Sequence, residues 1–349
     1  VLRAEAPAWR HPANGWALTT HALCAAAAAD DRMRPAHRTG RAAFDDMDPS
    51  RYQAMRKLLT PALSATAMRG IENEVRWRAE QIVVGATRRG QCDLVTDVAA
   101  ALPFQTIALM LGVPDEDRPE VWEWLTVASE DADRALLSYG AQLIAGKSVH
   151  PGADLVSKAI YAHLDNQSPD HDHLDPGEVL MLFDTLIAAG SQTTRDAIAA
   201  GVLALAEHPD EWRRLRDERK LLRSATEEVL RWASPRPCDQ RVVTADLLLD
   251  GHRLRAGERV DVWWASANRD ETVFADPSRF DVGRNPNPHL AFGVGGHACL
   301  GATVARMEIR LLLDVLLDHV SEVTIVGPPQ WSCSPDHTSL RHLPVTLTP

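Results

Sequence analysis

Most of the chain has apolar residues at the three- and four-residue spacing that is typical of amphipathic helices. This spacing covers residues 64–89, and residues 94–111 are apolar on nearly every side, which predicts a buried helix. Asp175-Pro176 is a helix-start signal, and the pattern after it predicts one long helix to Glu207, before His208-Pro209. The chain is therefore predicted to be mainly α.

The apolar spacing changes to two at residues 241–262, with turn signals at Asp250-Gly251 and Gly257. This pattern predicts a small antiparallel sheet. Nearer the start, a short strand is predicted around Trp16, followed by an alanine-rich helix from His21. The other predicted elements are helices at residues 210–218, 222–232 and 300–319 and a closing strand at 343–347.

The composition is that of a folded globular protein. Of the 349 residues, 45% are hydrophobic and 24% are charged, which excludes disordered and collagen-like chains. The net charge of −11 excludes a global positive field that would attract nucleic acid or an anionic membrane. The five cysteines form no CxxC pair, which argues against a disulfide framework or a cysteine-rich zinc site. We therefore expect a monomeric cytoplasmic protein with no membrane segment and no nucleic-acid partner.

A glycine-rich segment directly before the last predicted helix contains a cysteine. Its residues of interest are Phe292, Gly293, Gly295, Gly296, His297, Cys299 and Gly301. Such glycines allow positive φ and a close approach of the backbone to a flat partner, and free N–H groups at a helix start are expected to lower the pKa of the thiol. Cys299 is therefore a candidate metal ligand. The alternative is a buried core thiol in an ordinary loop.

This segment, Phe-Gly-x-Gly-x-His-x-Cys-x-Gly, resembles the haem-binding loop of the cytochrome P-450 family, the haem-thiolate monooxygenases, in its soluble bacterial form. The resemblance implies that Cys299 ligates the iron of haem b. It also implies that neighbouring loop residues contact the haem, namely Phe292, Gly293, His297 and Gly301.

Two further motifs follow the order that the family has. Glu228-Val229-Leu230-Arg231 places a carboxylate and a guanidinium one helical turn apart, which alone is usually a solvated ion pair. Pro277-Ser278-Arg279-Phe280 resembles the family's Pro-x-Arg-Phe motif. The resemblance implies a buried structural network of Glu228, Arg231 and Arg279 behind the haem loop.

The long predicted helix contains Ala188-Ala189-Gly190-Ser191-Gln192-Thr193-Thr194, although glycine costs roughly 1 kcal/mol against alanine inside a helix. The segment resembles the family's Ala-Gly-x-(Asp/Glu)-Thr-Thr motif. That resemblance implies a local opening of the helix, with Ala189 and Gly190 beside the haem and with Thr193 passing protons. The alternative is an ordinary interior helix whose threonine hydroxyls donate to i−4 carbonyls.

Gln192 departs from the family pattern, which has an acid at this position. An amide does not gain or lose a proton near neutral pH, so Gln192 cannot be a simple acid/base relay. We hypothesise that Gln192 and Thr193 are the catalytic residues and together organise a chain of water molecules.

Four side chains match the positions at which the family holds the haem propionates: Tyr52, Arg56, Arg241 and His297. Tyr52 stands where histidine is commoner, but its phenol can donate one hydrogen bond. In isolation each of the four would be interpreted as a surface side chain. Their common order along the chain supports the assignment.

The resemblance implies one domain, residues 1–349, with the family's triangular prism of helices around the haem and a small β region. It implies insertion of one oxygen atom from O2 into a C–H bond of a small or medium organic substrate. The side chains expected to face that substrate are Thr185, Ala188, Pro237 and Cys238. We interpret the pathway as secondary-metabolite biosynthesis, with terpenoid or steroid catabolism as an alternative. Oxidative coupling, desaturation or nitrogen oxidation also stay open, as does a catalytically silent recruitment module.

No flavin- or nicotinamide-binding fingerprint occurs in the sequence. The resemblance therefore implies that electrons come from NAD(P)H through a separate ferredoxin reductase and ferredoxin. The ferredoxin would dock on a local basic patch near Cys299, for which Arg56, Arg306 and Arg310 are the candidates. The substrate could also be bound to a carrier protein.

The chain is short for the family at residues 33–48 and 124–152. These two stretches correspond to the segments that cover the substrate pocket. Either the cover is minimal or part of it lies outside this sequence, and the second is our expectation.

Overall fold

A computed structural model describes residues 2–11, 15–36, 47–127, 129–162, 173–333 and 337–349. Helices dominate these ranges. The helices are α1 (Leu2–Glu5), α2 (His21–Ala29), α3 (Pro49–Leu59), α4 (Ala65–Arg89), α5 (Ala101–Leu111), α6 (Arg118–Thr126), α7 (Glu130–Val149), α8 (Leu155–Ile160), α9 (Pro176–Glu207), α10 (Pro209–Asp217), α11 (Leu222–Ala233), α12 (Trp264–Ala267) and α13 (Ala302–His319). The strands are β1 (Ala8–His11), β2 (Gly15–Leu18), β3 (Met33–Ala36), β4 (Gln91–Asp93), β5 (Asp239–Val243), β6 (Leu247–Leu249), β7 (His252–Leu254), β8 (Arg259–Val262), β9 (Glu322–Ile325), β10 (Gln330–Cys333), β11 (Thr338–His342) and β12 (Pro344–Thr348).

The helices that the periodicity predicts are present, with small changes in their bounds. Ser64 caps α4, because its side chain accepts a hydrogen bond from the Ala67 N–H. Asp175 and Glu178 form a capping box at the start of α9, in which each side chain accepts from the other residue's backbone N–H at 2.9 Å. The 32 residues of α9 then pass through the centre of the helical core, in contact with α5, α7 and α11.

Two stretches differ from the prediction. Residues 95–99 form a π-helical turn, so 94–111 is not one continuous α-helix. The second is the stretch 124–152, which the sequence analysis treats as a shortened cover. The end of α6 and the whole of α7 lie in it. Of residues 33–48, the structure describes β3 and residues 47–48, and the others lie outside the described ranges.

The predicted antiparallel sheet is confirmed and is part of a larger one. Five strands run in the order β1-β2-β8-β5-β3, and β5 pairs with β8 in antiparallel register. The pairing of β2 with β8 is parallel, which the sequence analysis did not anticipate. Smaller units are the sheet β4-β12-β9 and the hairpins β6-β7 and β10-β11.

Buried apolar side chains form a large helical core and a smaller cluster beside the five-stranded sheet. The large core surrounds α9 and contains most of the inward faces of α4, α5 and α13. The smaller cluster packs α2 against the sheet through residues such as Trp16, Cys24 and Trp264. Measured against the length and apolar character that a bilayer crossing requires, none of the helices in the described ranges qualifies.

One carboxyl group lies inside the large core. The Glu308 side chain on α13 is 1% exposed, and its Oε2 atom has no hydrogen-bond partner. Burial raises the pKa of Glu308 from its ordinary 4.5 to about 8, and a hydrogen bond with the Thr106 side chain opposes this only in part. Glu308 is therefore protonated in the folded protein at neutral pH.

Glu308→Gln should make the stability of the folded protein less dependent on pH. The pKa of Glu308 is higher in the folded protein than in the unfolded one. The contribution of this carboxyl group to the stability of the wild type is therefore complete below about pH 4.5 and is lost as the pH rises through about 8. The wild type should therefore lose up to about 1.4 kcal/mol per pH unit relative to Glu308→Gln in that window. Urea unfolding from about pH 5 to about pH 8 measures this difference. A constant difference, like that expected for exposed Glu322→Gln, would contradict the prediction.

Candidate functional site

The site is built on a long irregular segment between α12 and α13. Residues 268–301 contain no strand and only one short 3-10 turn, at Gly295–His297. A segment of this length without secondary structure needs other partners for its backbone polar groups, and it is often functional. Its conformation depends on buried side chains that donate to its carbonyls.

Arg231 supplies several of these donors. Its guanidinium is fully buried and donates to the Glu228 carboxylate at 2.7 and 2.8 Å. Its remaining N–H groups donate to the carbonyls of Asn268 and Pro277, both at 2.9 Å, and of Arg279 at 3.2 Å. All five donors of the guanidinium are thus used, and the predicted buried pair of Glu228 and Arg231 is confirmed.

Arg279 is not the third side chain of this network, which corrects the sequence prediction. Its side chain is exposed, and it takes part only through its backbone carbonyl. The third side chain is Arg284, which is 9% exposed and donates Nε to both Glu228 oxygens at 3.1 and 3.2 Å. Arg284 also donates to the carbonyls of Ala275, Asp276 and Arg279. Two guanidinium groups therefore neutralise one buried carboxylate and hold the same loop.

The cysteine loop packs closely on α2. Gly293 and Gly295 have φ of +64° and +78°, as the sequence analysis expects. A Cβ atom at Gly295 would lie 2.7 Å from the Ala28 carbonyl oxygen, so no larger residue fits without movement. The Cys299 N–H donates to the Phe292 carbonyl at 2.8 Å, which closes the loop, and Gly301 is the N-cap of α13.

The Cys299 thiol is exposed, yet the surrounding protein still desolvates it. Desolvation raises the pKa of Cys299, while the Gly301 N–H and the charges of Arg56 and Arg306 act to lower it. The expected lowering by N–H groups exists, but desolvation exceeds it. The pKa of Cys299 is therefore shifted in the direction opposite to the predicted one.

Three of the four predicted propionate partners meet beside the cysteine loop. Arg56 donates to the Tyr52 hydroxyl at 3.0 Å, and the His297 ring stacks on the Tyr52 ring at 4.7 Å between centroids. Tyr52 and Arg56 lie one turn apart on α3, which brings that helix to the loop. Arg241 lies on β5 and is 4% exposed.

The middle of α9 contains positions that are accessible to solvent. Ala189 and Gln192 are exposed, and Thr193 is partly exposed. The helix is continuous here, so the local opening that the resemblance implies is not observed in α9. The Thr193 hydroxyl donates to the Ala189 carbonyl at 3.1 Å, which is the i−4 bond of the alternative interpretation.

Gly190 has a packing role that the sequence analysis missed. A Cβ atom at this position would lie 3.0 Å from Cγ1 of Ile107 on α5, so the glycine lets α9 and α5 approach closely. This contact explains the glycine without any contact to a cofactor.

The remaining predictions for this region have different outcomes. Thr185 and Ala188 are partly exposed on α9, and their contact with a substrate stays a prediction. Pro237 and Cys238 are buried, Cys238 to 1%, because they lead directly into β5; they offer no accessible surface to a substrate. The predicted basic patch is also weaker than expected, since Arg306 and Arg310 form ion pairs with glutamates.

The comparisons with known proteins identify the family of this chain. A family model described as Cytochrome P450 matches residues 147–325, about half of the chain. The chain belongs to the cytochrome P450 family. The P450 assignment made from the cysteine loop is thereby confirmed, as is the mainly α fold class.

Relatives and a solved structure agree with this assignment. The steroid C26-monooxygenase of Mycolicibacterium smegmatis is 34% identical over 331 residues, which cover 91% of this chain and 76% of the relative. The methyl-branched lipid omega-hydroxylase of Mycobacterium bovis is 36% identical over 319 residues, which cover 86% and 73%. The structure of Mycobacterium marinum cytochrome P450 CYP268A2 with pseudoionone superimposes with a TM-score of 0.90 at 30% identity, covering 99% of this chain and 93% of that one.

The residues of this P450 fit the haem that the family implies. A thiol is accessible on Cys299, at a loop whose glycines leave no side chain between backbone and a flat partner. Cationic and neutral donors suited to carboxylates, Arg56, Tyr52 and His297, converge beside it. The donor set therefore matches a thiolate-ligated, dicarboxylate cofactor.

Arg284→Gln should destabilise the protein far more than Arg279→Gln. Loss of Arg284 removes a partner from a buried carboxylate, which costs about 3 kcal/mol or more, whereas exposed Arg279 should cost less than about 0.5 kcal/mol. Urea unfolding of the two haem-loaded variants, with the retained haem measured in parallel, tests this order. Equal losses in the two variants would contradict the assignment of Arg284 to the network.

Proposed function

We propose that this P450 is a monooxygenase that hydroxylates the end of an aliphatic chain on a steroid or a methyl-branched lipid. The observation that supports this most directly is that two relatives, at 34% and 36% identity, are named for oxidation at such positions. C26 lies at the end of a sterol side chain, and the omega carbon ends a lipid chain. Both are unactivated C–H positions on branched apolar chains, so one substrate class covers both.

The polarity of α9 supports an apolar substrate. Residues 185–193, which include the exposed Ala189 and Gln192, carry no charged side chain. The exposed Ala189 and the partly exposed Ala188 and Thr185 are small, which leaves room for a bulky ligand. A charged substrate would find no ion-pair partner within residues 185–193, and the nearest charged residues of this helix, Asp184 and Arg195, lie at the two ends of that stretch.

Haem, when bound through a cysteine thiolate, supplies the activation of O2 that monooxygenation needs. In this proposal Cys299 binds the iron, and Tyr52, Arg56, Arg241 and His297 donate to the propionates. Thr193 and Gln192 hold water in hydrogen-bonding positions on the opposite side.

Electrons would reach the site from NAD(P)H through a separate ferredoxin reductase and ferredoxin. Arg306 and Arg310 are ion-paired, and this proposal assigns Arg56 to a propionate, so the three cations that the sequence analysis names leave little free positive charge for docking. The relatives favour oxidation of steroids or lipids over the secondary-metabolite role that the sequence analysis prefers.

The substrate class can be tested by optical titration of the change from low to high spin. The ligand pairs are a steroid with a branched aliphatic side chain against the same ring system without it, and a methyl-branched fatty acid against the linear one. We expect the branched ligand of at least one pair to bind about tenfold more tightly and to give a terminal alcohol by mass spectrometry. Equal binding within both pairs, or oxidation on the ring system, would contradict the proposal.

Gln192→Ala should lower the amount of product formed per NAD(P)H consumed, by about tenfold, because the water chain would lose a hydrogen-bonding partner. Ser191→Ala is the matched control, since the Ser191 hydroxyl donates to the Ile187 carbonyl at 2.7 Å on the buried side of the same helix turn. Product and NAD(P)H are measured together in turnover with the best ligand. An unchanged ratio in Gln192→Ala would remove the amide from proton delivery.

A further inference from the structure

A second ion pair joins α11 and α13 beside the cysteine loop. The Arg306 guanidinium donates Nε and Nη2 to the two oxygens of Glu227 at 2.8 and 2.9 Å. This is the bidentate geometry that makes an arginine–carboxylate pair both strong and directional. Glu227 is 25% exposed and Arg306 is 41% exposed, so solvent weakens the pair without removing its geometry.

His289, in the irregular segment before the cysteine, is the second partner of Glu227. Its Nε2 lies 3.0 Å from the second Glu227 oxygen, and its Nδ1 accepts the Ala291 N–H at 3.2 Å. Because Nδ1 is an acceptor, the hydrogen of the neutral ring is on Nε2 and points to the carboxylate. Burial raises the pKa of Glu227, but the hydrogen bonds from His289 and Arg306 outweigh it and lower that pKa to about 2.

Both partners of Glu227 also contact Phe292. The Arg306 guanidinium lies 4.5 Å from the centre of the Phe292 ring, within cation–π distance, and the His289 ring lies 6.0 Å from it. Phe292 in turn accepts the Cys299 N–H through its carbonyl at 2.8 Å. A short path of direct contacts thus connects the Glu227 carboxylate to the backbone of the cysteine.

We propose that Glu227, Arg306 and His289 form a clamp that holds Phe292 and, through its carbonyl, positions Cys299 for binding to the iron. These three are positioning residues and do not touch the reacting atoms. The inference rests on the proposed ligation of haem by Cys299. It assigns a geometric role to Arg306, which the sequence analysis names only as a candidate cation of a docking patch.

Geometry and charge make different demands on position 306. Lysine keeps the positive charge but has neither the planar fork for two carboxylate oxygens nor the flat surface for the Phe292 ring. If the clamp acts by geometry, Arg306→Lys should weaken the thiolate ligation as much as Glu227→Gln does. If Arg306 acts only as a charge near the thiolate, Arg306→Lys should behave like the wild type.

The test uses the haem-loaded protein and two spectroscopic readouts. The first is the rate at which the reduced carbon monoxide complex loses its thiolate band in a fixed, mild concentration of guanidinium chloride. We expect Glu227→Gln and Arg306→Lys each to raise this rate at least about fivefold. The second is the midpoint potential of the iron, which should become more positive in Glu227→Gln, where a negative charge is lost, and should stay near the wild-type value in Arg306→Lys.

The matched controls are Glu72→Gln and Arg310→Lys. Arg310 lies one turn after Arg306 on α13 and pairs with Glu72 at 2.6 Å, with 34% and 33% of the two side chains exposed. Both controls should stay within about twofold of the wild-type rate. Far-UV circular dichroism under the same conditions records unfolding, so a variant that merely unfolds is recognised.

Two results would overturn the clamp: a wild-type rate in Arg306→Lys, or band loss in Glu227→Gln that only follows global unfolding. A wild-type protein that gives no thiolate band would instead contradict the ligation by Cys299, and with it the proposed function. The two failures are therefore distinguishable in one experiment.

Discussion

The buried Glu228 carboxylate, shared between two guanidinium groups, is the interaction on which the site depends. Residues 268–301 have almost no regular secondary structure, so their backbone carbonyls cannot be satisfied by helix or sheet hydrogen bonds. Arg231 and Arg284 replace those bonds with charged donors, and the buried Glu228 carboxylate accepts hydrogen bonds from both guanidinium groups and so holds them together. An apolar core could fill the same volume, but it would not specify one path for this loop.

The loop path then determines where the cysteine lies. Asn268, whose carbonyl accepts from Arg231, accepts the Leu290 N–H through its side-chain oxygen at 2.6 Å, so the ion network reaches the start of the cysteine loop. At the other end, Gly295 lies against the backbone of α2 and Gly301 begins α13. The thiol is thus positioned from both sides by contacts that depend on backbone geometry, which is why substitutions far from the haem face can affect it.

The sequence was most informative where a residue type has one physical explanation. Helix starts at Ser64 and Asp175, the positive φ at Gly293 and Gly295, and the pair Glu228–Arg231 follow from local rules of capping, backbone freedom and charge burial. It failed where the outcome depends on the path of an irregular loop. Arg279 and Arg284 are five residues apart in one coil, and only the folded path decides which side chain turns inward. Burial of Cys238 and the packing of Gly190 on Ile107 also depend on tertiary contacts that no local pattern reports.

The cysteine loop and the middle of α9, the two sides of this P450 site, are held in place by different interactions. On the cysteine side, directional ion pairs of Glu228 and Glu227 with arginines hold the loop, and this arrangement resists change because one lost donor leaves a buried charge unpaired. On the α9 side, residues 185–193 are uncharged and lie on a continuous helix, so a substitution there removes no member of the described ion networks. The motif residues belong to the ion networks and the cysteine loop, which is why they identify the reaction class but not the substrate.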